Sequence, residues 1–409
     1  MEPPAVVIDN GTGYSKLGLA GNLQPHFIIP TTIATRPVNT VVTTSRPQAD
    51  DLDFFIGEEA FNHQQTHGLV FPMKEGQINS WDDMERYWQR CIHDVLRVES
   101  QSHNFLLTEP PMNTPENREQ MAEIMFETFN VKGLYIGVQA TMALFASGVT
   151  NRQDSNTGLV IDSGDGVTHI IPIAHGFVIN SCIKHIPICG RDITKFVMHK
   201  IKQRNDQIQQ EDLMDTARRV KESFCRVSLN AEAEAKRFAD PRSDAWKVYQ
   251  GVGKATGQPI TVRVGEEQYL GPEAFFNPKK LVKNWDKPLD EMIDTTVQTC
   301  PIDVRRGLYN HIVLSGGSTL FPGFGQRLQG LVQERVNARL SRYASESGTV
   351  SKPIPVQIKS ADYQRYAVWL GASMLASGST FAQSVHTREQ YQEHGPSIAR
   401  SNVVFGAGM

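Results

Sequence analysis

Two periods alternate along this chain. Short runs of β-branched and aliphatic residues, bounded by glycine, proline or asparagine, give way to longer stretches whose apolar residues recur every three or four positions. Val6-Val7-Ile8 leads into Asp9-Asn10-Gly11-Thr12-Gly13, and Leu17-Gly18-Leu19-Ala20-Gly21 and Phe27-Ile28-Ile29 follow. This predicts three sequential strands, a meander that closes one side of a sheet. Residues 31–71 show no period from Thr31 to Ala49 and carry one short strand at 51–57, so a small outer lobe or loop is expected there. After Asn79 the pattern turns helical. Trp81, Met84, Trp88, Ile92 and Val95 share a face, and Ser80 with Asp83 reads as a cap. Phe105-Leu106-Leu107-Thr108 predicts a buried strand stopped by Pro110-Pro111. Thr114-Pro115 opens a helix in the favoured cap-then-proline order, with Ile124, Met125, Thr128 and Phe129 expected to face inward. A strand at 134–138 and a helix at 140–147 complete an α/β half with a partly parallel sheet.

The polar, turn-rich residues 149–157 mark a boundary. Beyond it the opening pattern returns: Val160-Ile161-Asp162 runs into Ser163-Gly164-Asp165-Gly166 and out through Val167-Thr168-His169. Residues 177–186 are expected to supply the returning strand. Residues from about 189 to 280 read as an insertion, with a basic amphipathic helix at 215–226 and a short hairpin near Gly265. The sheet resumes at His311-Ile312-Val313-Leu314 and ends in Ser315-Gly316-Gly317-Ser318-Thr319. A helix at 324–340, a loop at 341–353, a strand at 356–358 and a helix at 366–377 follow. The last stretch, 390–409, is expected to dock on a surface through Val403, Val404 and Phe405.

The repeated hairpin is where chemistry enters. Glycines let backbone N–H groups turn towards a ligand without side-chain interference. A carboxylate at the mouth of such a turn repels phosphate unless a cation lies between them, and hard oxygen ligands suit magnesium. One copy is an ordinary hairpin turn; two copies point to one polyphosphate faced by two similar halves. Lys16 stands just past the first turn, within reach of a phosphate. Gly316-Gly317 lies where a strand gives way to a helix, the place where open α/β sheets bind ligands. Gly251-Val252-Gly253-Lys254 lacks the spacing of a P-loop, and no nucleophile elbow or zinc-protease motif occurs.

Composition narrows the class further. The 409 residues are 40% hydrophobic and 21% charged, with a net charge of −3, so nothing points to nucleic acid. The five cysteines, Cys91, Cys182, Cys189, Cys225 and Cys300, include no Cys-x-x-Cys pair, which fits a reducing compartment. The start lacks a signal-peptide pattern, and no apolar run approaches the ~20 residues of a membrane span. A cytoplasmic protein without a membrane span is the expectation.

The two hairpins, the Gly-Gly loop and the blocks Thr108-Glu109-Pro110-Pro111-Met112-Asn113 and Phe126-Glu127-Thr128-Phe129-Asn130 resemble the actin family over nearly the whole chain. The resemblance implies an α/β, actin-like duplicated fold of the hexokinase and heat-shock ATPase type. Its first half is expected over 1–148 plus 367–409, with the outer lobe at 31–71. The second is expected over 149–366, with an inserted lobe at about 189–282. It implies ATP or ADP with Mg2+ or Ca2+ in a cleft between the halves. Asp9 and Asp162 would hold the metal through waters. Gly11, Thr12, Gly13, Gly164, Asp165 and Gly166 would wrap the phosphates, with Lys16 on the β-phosphate side. Gln139 and His169 would position the attacking water, with no covalent intermediate. Lys221, Glu222, Gly316, Gly317, Phe321 and Arg365 would form the adenosine end. Actin has Tyr where Phe321 stands and Lys where Arg365 stands.

Several blocks depart from conventional actin towards the actin-related proteins: the lobe at 31–71, 181–188, Cys300-Pro301-Ile302-Asp303-Val304-Arg305-Arg306 and the longer tail. They imply a subunit of a seven-protein complex that nucleates branched filaments in the actin cytoskeleton. Its partners would be a second actin-related subunit, five others, and actin monomers and filaments. Phe145, Leu370 and Leu375 match a hydrophobic cleft that would take an amphipathic helix from Wiskott–Aldrich-type activators, and the tail is a candidate occupant of that cleft. Such a subunit would hydrolyse ATP slowly, as regulation. The alternatives are a self-polymerising actin-like ATPase, a small-molecule kinase, which lacks a candidate acid beyond the metal pair, and a chaperone ATPase, which lacks a peptide-binding domain.

Overall fold

The computed structural model describes residues 2–36, 54–151, 156–204, 208–280, 282, 284–349 and 352–400. The chain divides into two compact units, one drawn from Met1–Met142 and Val368–Met409, the other from Ala143–Ala367. Both are α/β, as the resemblance implied.

The first unit is built on a sheet whose centre is Val6–Asn10. This strand is buried at every position, as its unbroken apolar run requires. It pairs antiparallel with Tyr14–Leu19 through the expected hairpin and parallel with Asn104–Glu109. Phe27–Pro30 extends one side; Gly133–Val138 and His386–Thr387 extend the other. The helix Trp81–Arg90 starts where the cap was expected, with Ser80 accepting from the Asp83 amide. It buries Met84, Tyr87 and Trp88 against the sheet. The helix Pro115–Glu123 is capped by Thr114. Its continuation, Ile124–Thr128, winds wider, in i→i+5 turns. That shift corrects the inward face: Thr128 is exposed and Phe126 is buried instead, stacked on Tyr391 at 4.5 Å between ring centroids. Of the outer lobe, residues 37–53 lie outside the described residues; Phe54–Ile56 pairs with Ile33–Thr35. Val403, Val404 and Phe405 also lie outside them.

The second unit repeats the plan. Gly158–Ser163 is its central strand, antiparallel to Thr168–Ala174 through a hairpin and parallel to Ile312–Ser315. The returning segment is two short strands, Phe177–Val178 and Lys184–Ile186, because a single helical turn at Asn180–Cys182 interrupts it. The inserted region supplies the helices Gly190–Gln203 and Gln210–Phe224 and the hairpin of Lys247–Val252 with Pro259–Val264. The helix after the Gly-Gly loop runs Phe324–Ser347, further than its apolar period. Residues 341–347 are therefore helical, and Gly348 in a left-handed conformation ends them.

Gly316 has a φ of +88°, and a Cβ there would lie well inside contact distance of the Ser163 carbonyl oxygen. Gly316→Ala is expected to destabilise the second unit by about 2–4 kcal/mol, combining the left-handed backbone with the clash. Urea unfolding followed by tryptophan fluorescence checks this through a lowered midpoint.

Candidate functional site

Each unit presents one acidic hairpin turn, and the two turns have the same internal wiring. In the first, the Gly11 amide donates to the Tyr14 carbonyl at 3.2 Å; in the second, the Gly164 amide donates to the Val167 carbonyl at 3.0 Å. Asp9 lies opposite Lys16 and Asn10 opposite Ser15; Asp162 lies opposite His169 and Ser163 opposite Thr168. The cross-turn hydroxyl bond also recurs: Ser15 Oγ donates to Asn10 Oδ1 at 3.3 Å, and Ser163 and Thr168 share a bond of 2.7 Å. An aspartate followed two and four positions later by glycine therefore folds into one geometry twice.

In the first turn the Asp9 carboxylate is 2% exposed and fully engaged. Its Oδ2 accepts from Lys16 Nζ at 2.8 Å, and its Oδ1 accepts from Thr108 Oγ1 at 2.7 Å and from Gln139 Nε2 at 3.4 Å. Gln139 Nε2 also donates to the Asn10 carbonyl at 3.1 Å. Gln139 heads the helix Gln139–Asn151, which follows the strand Gly133–Val138 directly. Thr12 Oγ1 accepts from the Gly76 amide at 2.8 Å, and Thr31 Oγ1 donates to the Gly11 carbonyl at 2.7 Å, so both edges of the turn are held. Asn10 Oδ1 takes hydrogen bonds from Ser15 and from Trp88 Nε1. Asn10 Nδ2, buried and beside the turn, has no partner among the described residues. A buried amide donor without an acceptor costs about 1–3 kcal/mol, and a phosphate oxygen is a fitting acceptor.

The second turn is clamped from outside. The Gly190 and Arg191 amides donate to the Gly164 and Asp165 carbonyls, both at 2.9 Å, and Ser318 Oγ donates to the Gly164 carbonyl at 2.9 Å. Arg191 also pairs with the Asp165 carboxylate at 2.9 Å. Those carbonyls are thereby turned into the protein. Lys221 is buried, and its Nζ donates to the Gly190 carbonyl at 3.1 Å. Burial lowers its pKa, and Asp165 and Glu222 oppose that effect. Glu222 and Arg365 are exposed. Phe321 is 8% exposed and belongs to the core of its unit. A Cβ on Gly317 would meet nothing within 4 Å, so the chain's own packing does not call for glycine there, in contrast to Gly316. Among the hydrophobic-cleft residues, Phe145 is 39% exposed on its unit, while Leu370 is buried and Leu375 half-buried on theirs.

His169 stands on the strand leaving the second turn, where Lys16 stands in the first. Burial, then the neighbouring His185, push its pKa down to about 4. Thr108 and Ser318 were not singled out from the sequence. Thr108 stands one residue before the end of the strand parallel to Val6–Asn10, and that position was the available signal. Ser318 carried none beyond the Gly-Gly loop.

The depressed pKa has a sign. An unfolded histidine takes up its proton near pH 6.5, whereas native His169 stays neutral until about pH 4. Between those values the unfolded chain binds more protons, so stability falls as pH falls. Lowering pH from 7 to 5 is expected to reduce the urea midpoint, and His169→Asn to flatten that dependence.

The chain matches the family described as Actin over residues 1–403. It is 51% identical over 422 residues to Actin-related protein 3 of Caenorhabditis elegans, covering 99% of this chain and 98% of that protein. Actin-related protein 3 of Dictyostelium discoideum is 51% identical over 409 residues, with 98% of each chain covered. The Acanthamoeba castellanii protein of the same name is 49% identical over 419 residues, covering 99% of this chain and 98% of its own length. No helix among the described residues is long and apolar enough to cross a membrane. With a matching turn in each of its two units and similarity along almost its full length, the chain belongs to the actin family.

Proposed function

We propose that this chain binds ATP or ADP with Mg2+ or Ca2+. We further propose that it serves as an actin-related subunit of the seven-subunit complex that nucleates branched actin filaments. The observation that carries the nucleotide reading is the acidic glycine turn built twice, with a buried unpartnered amide, Asn10 Nδ2, beside one copy. The relatives' shared name supports the subunit reading.

The divalent ion would supply the positive charge that lets two carboxylates and a polyphosphate share one place. Asp9 and Asp162 would hold it through waters. The amides of Thr12 and Gly13, and of Asp165 and Gly166, would cradle phosphate oxygens, with Gly11 and Gly164 closing the two turns through their own amides. Lys16 would reach the β-phosphate while still neutralising Asp9. Gln139 and His169 would orient the attacking water, Gln139 as an amide already fixed by Asp9 and Asn10. At the adenosine end, Gly317 leaves space for a base or ribose, with Lys221, Glu222, Gly316, Phe321 and Arg365 around it. Hydrolysis would be slow and regulatory. Together with a second actin-related subunit the chain would template a new filament end. Phe145, Leu370 and Leu375 would receive the amphipathic helix of a Wiskott–Aldrich-type activator.

Lys16→Met removes the cation from a buried carboxylate. It is expected to cost about 3 kcal/mol of stability and to weaken ATP binding roughly tenfold, read by denaturation and by equilibrium binding. Asp162→Asn is expected to lower ATP affinity in the presence of Mg2+ while leaving the weak metal-free binding unchanged. The subunit reading is tested by affinity isolation of the native protein, mass spectrometry and an actin assembly assay. A stoichiometric assembly with a second actin-related protein and five others, stimulating branched growth, supports it. Recovery of the chain alone, or of filaments made of it, rejects the subunit reading in favour of a self-assembling ATPase.

A further inference from the structure

Two histidines meet on neighbouring strands of the second sheet. His169 on Thr168–Ala174 lies directly opposite His185 on Lys184–Ile186, and on its other side directly opposite Asp162. Residues directly opposite in antiparallel strands project from the same face, so Asp162, His169 and His185 form a row across that face. His185 Nδ1 lies 3.2 Å from His169 Nε2, with ring centroids 5.1 Å apart and planes at 59°. At that distance one nitrogen carries a proton and the other accepts it.

Two neutral rings can share a proton between these atoms in two ways. If His169 Nε2–H donates to His185 Nδ1, both rings carry their proton on Nε2, the nitrogen that a neutral histidine side chain prefers. If His185 Nδ1–H donates to His169 Nε2, both rings must carry it on the disfavoured Nδ1. His185 is exposed, so its Nε2–H has water to bond. The first arrangement therefore satisfies both tautomer preferences and every ring nitrogen of His185. It leaves His169 Nδ1 without a proton, as an acceptor. Which ring nitrogen is protonated is set by the bond the other one makes.

We propose that His185 is a positioning residue for His169: it accepts the His169 Nε2 proton and so holds His169 Nδ1 bare, ready to accept a hydrogen bond from the attacking water. This rests on the reading of His169 as a water-positioning residue. An acceptor is what that role requires, since a water that donates to His169 turns its lone pair towards the phosphorus.

The test uses the full chain, with whatever subunits it is isolated in, as the unchanged protein and as His185→Ala, His185→Asn and His185→Gln. Asparagine places an amide near the position of Nδ1; glutamine places it near Nε2, and alanine supplies nothing. Alanine and glutamine are expected to slow single-turnover ATP hydrolysis roughly tenfold or more, with ATP affinity within about twofold, while asparagine keeps most of the rate. Equal rates in all four forms, or equal losses in all three variants, overturn the proposal. A second measurement is independent of ATP: nitrogen NMR of the chain labelled in its histidine rings. His169 is expected to be protonated at Nε2 and bare at Nδ1, and solvent exchange of its Nε2 proton is expected to accelerate in His185→Ala. A proton on Nδ1, or exchange unchanged by the substitution, overturns the pairing. Failure of the unchanged chain to bind ATP rejects the nucleotide reading alone, and the NMR measurement still decides the role of His185.

Discussion

A carboxylate at the end of a fully buried strand needs partners, and most of the first unit's site follows from meeting the needs of Asp9. Water cannot reach it, so Lys16, Thr108 and Gln139 must. Each partner comes from a different element: the return strand of the hairpin, the neighbouring parallel strand, and the helix that follows the next strand. Holding one charge thereby fixes the register of three strands at their common end. It also aligns the groups that a cation and a phosphate would use. A metal bound near Asp9 would meet a carboxylate already oriented, with little side-chain freedom left to lose.

The second unit solves the same turn differently. Where Lys16 stands in the first hairpin, His169 stands in the second, and the field around the two turns differs accordingly. Lys16 brings a fixed charge to the carboxylate. His169 is neutral at physiological pH and brings a ring with one donor and one acceptor. The outer support differs as well. The first turn is held by threonine hydroxyls, Thr12 and Thr31; the second by backbone amides of Gly190 and Arg191 and by Ser318. Gly190 permits that approach, since a Cβ there would sit 2.7 Å from Ser318 Oγ. Two copies of one hairpin have thus diverged in chemistry while keeping their internal hydrogen bonds.

The hairpins, their aspartates and the α/β character of the chain were legible in the sequence itself, because each depends on local pattern. Apolar run, aspartate and spaced glycines determine a strand and a turn within about ten residues, and caps such as Ser80 and Thr114 announce their helices at once. Where local pattern and packing disagreed, packing decided. Residues 124–128 wind wider than an α-helix, so Phe126 turns inward and Thr128 outward. Residues 341–347 look like a loop by composition but continue a long helix until Gly348 breaks it.

What the sequence determined, then, was the list of chemical parts and their repetition. What only the tertiary structure decided was which part meets which. Thr108 reaches Asp9 across 99 positions of sequence, Ser318 reaches Gly164 across 154, and His185 faces His169 from a strand whose sequence looks unremarkable. Strand order and register set these meetings, and they arise from how whole sheets bury their apolar faces. No short stretch of chain carries that information, because the free energy that selects it is summed over the core and not over the site.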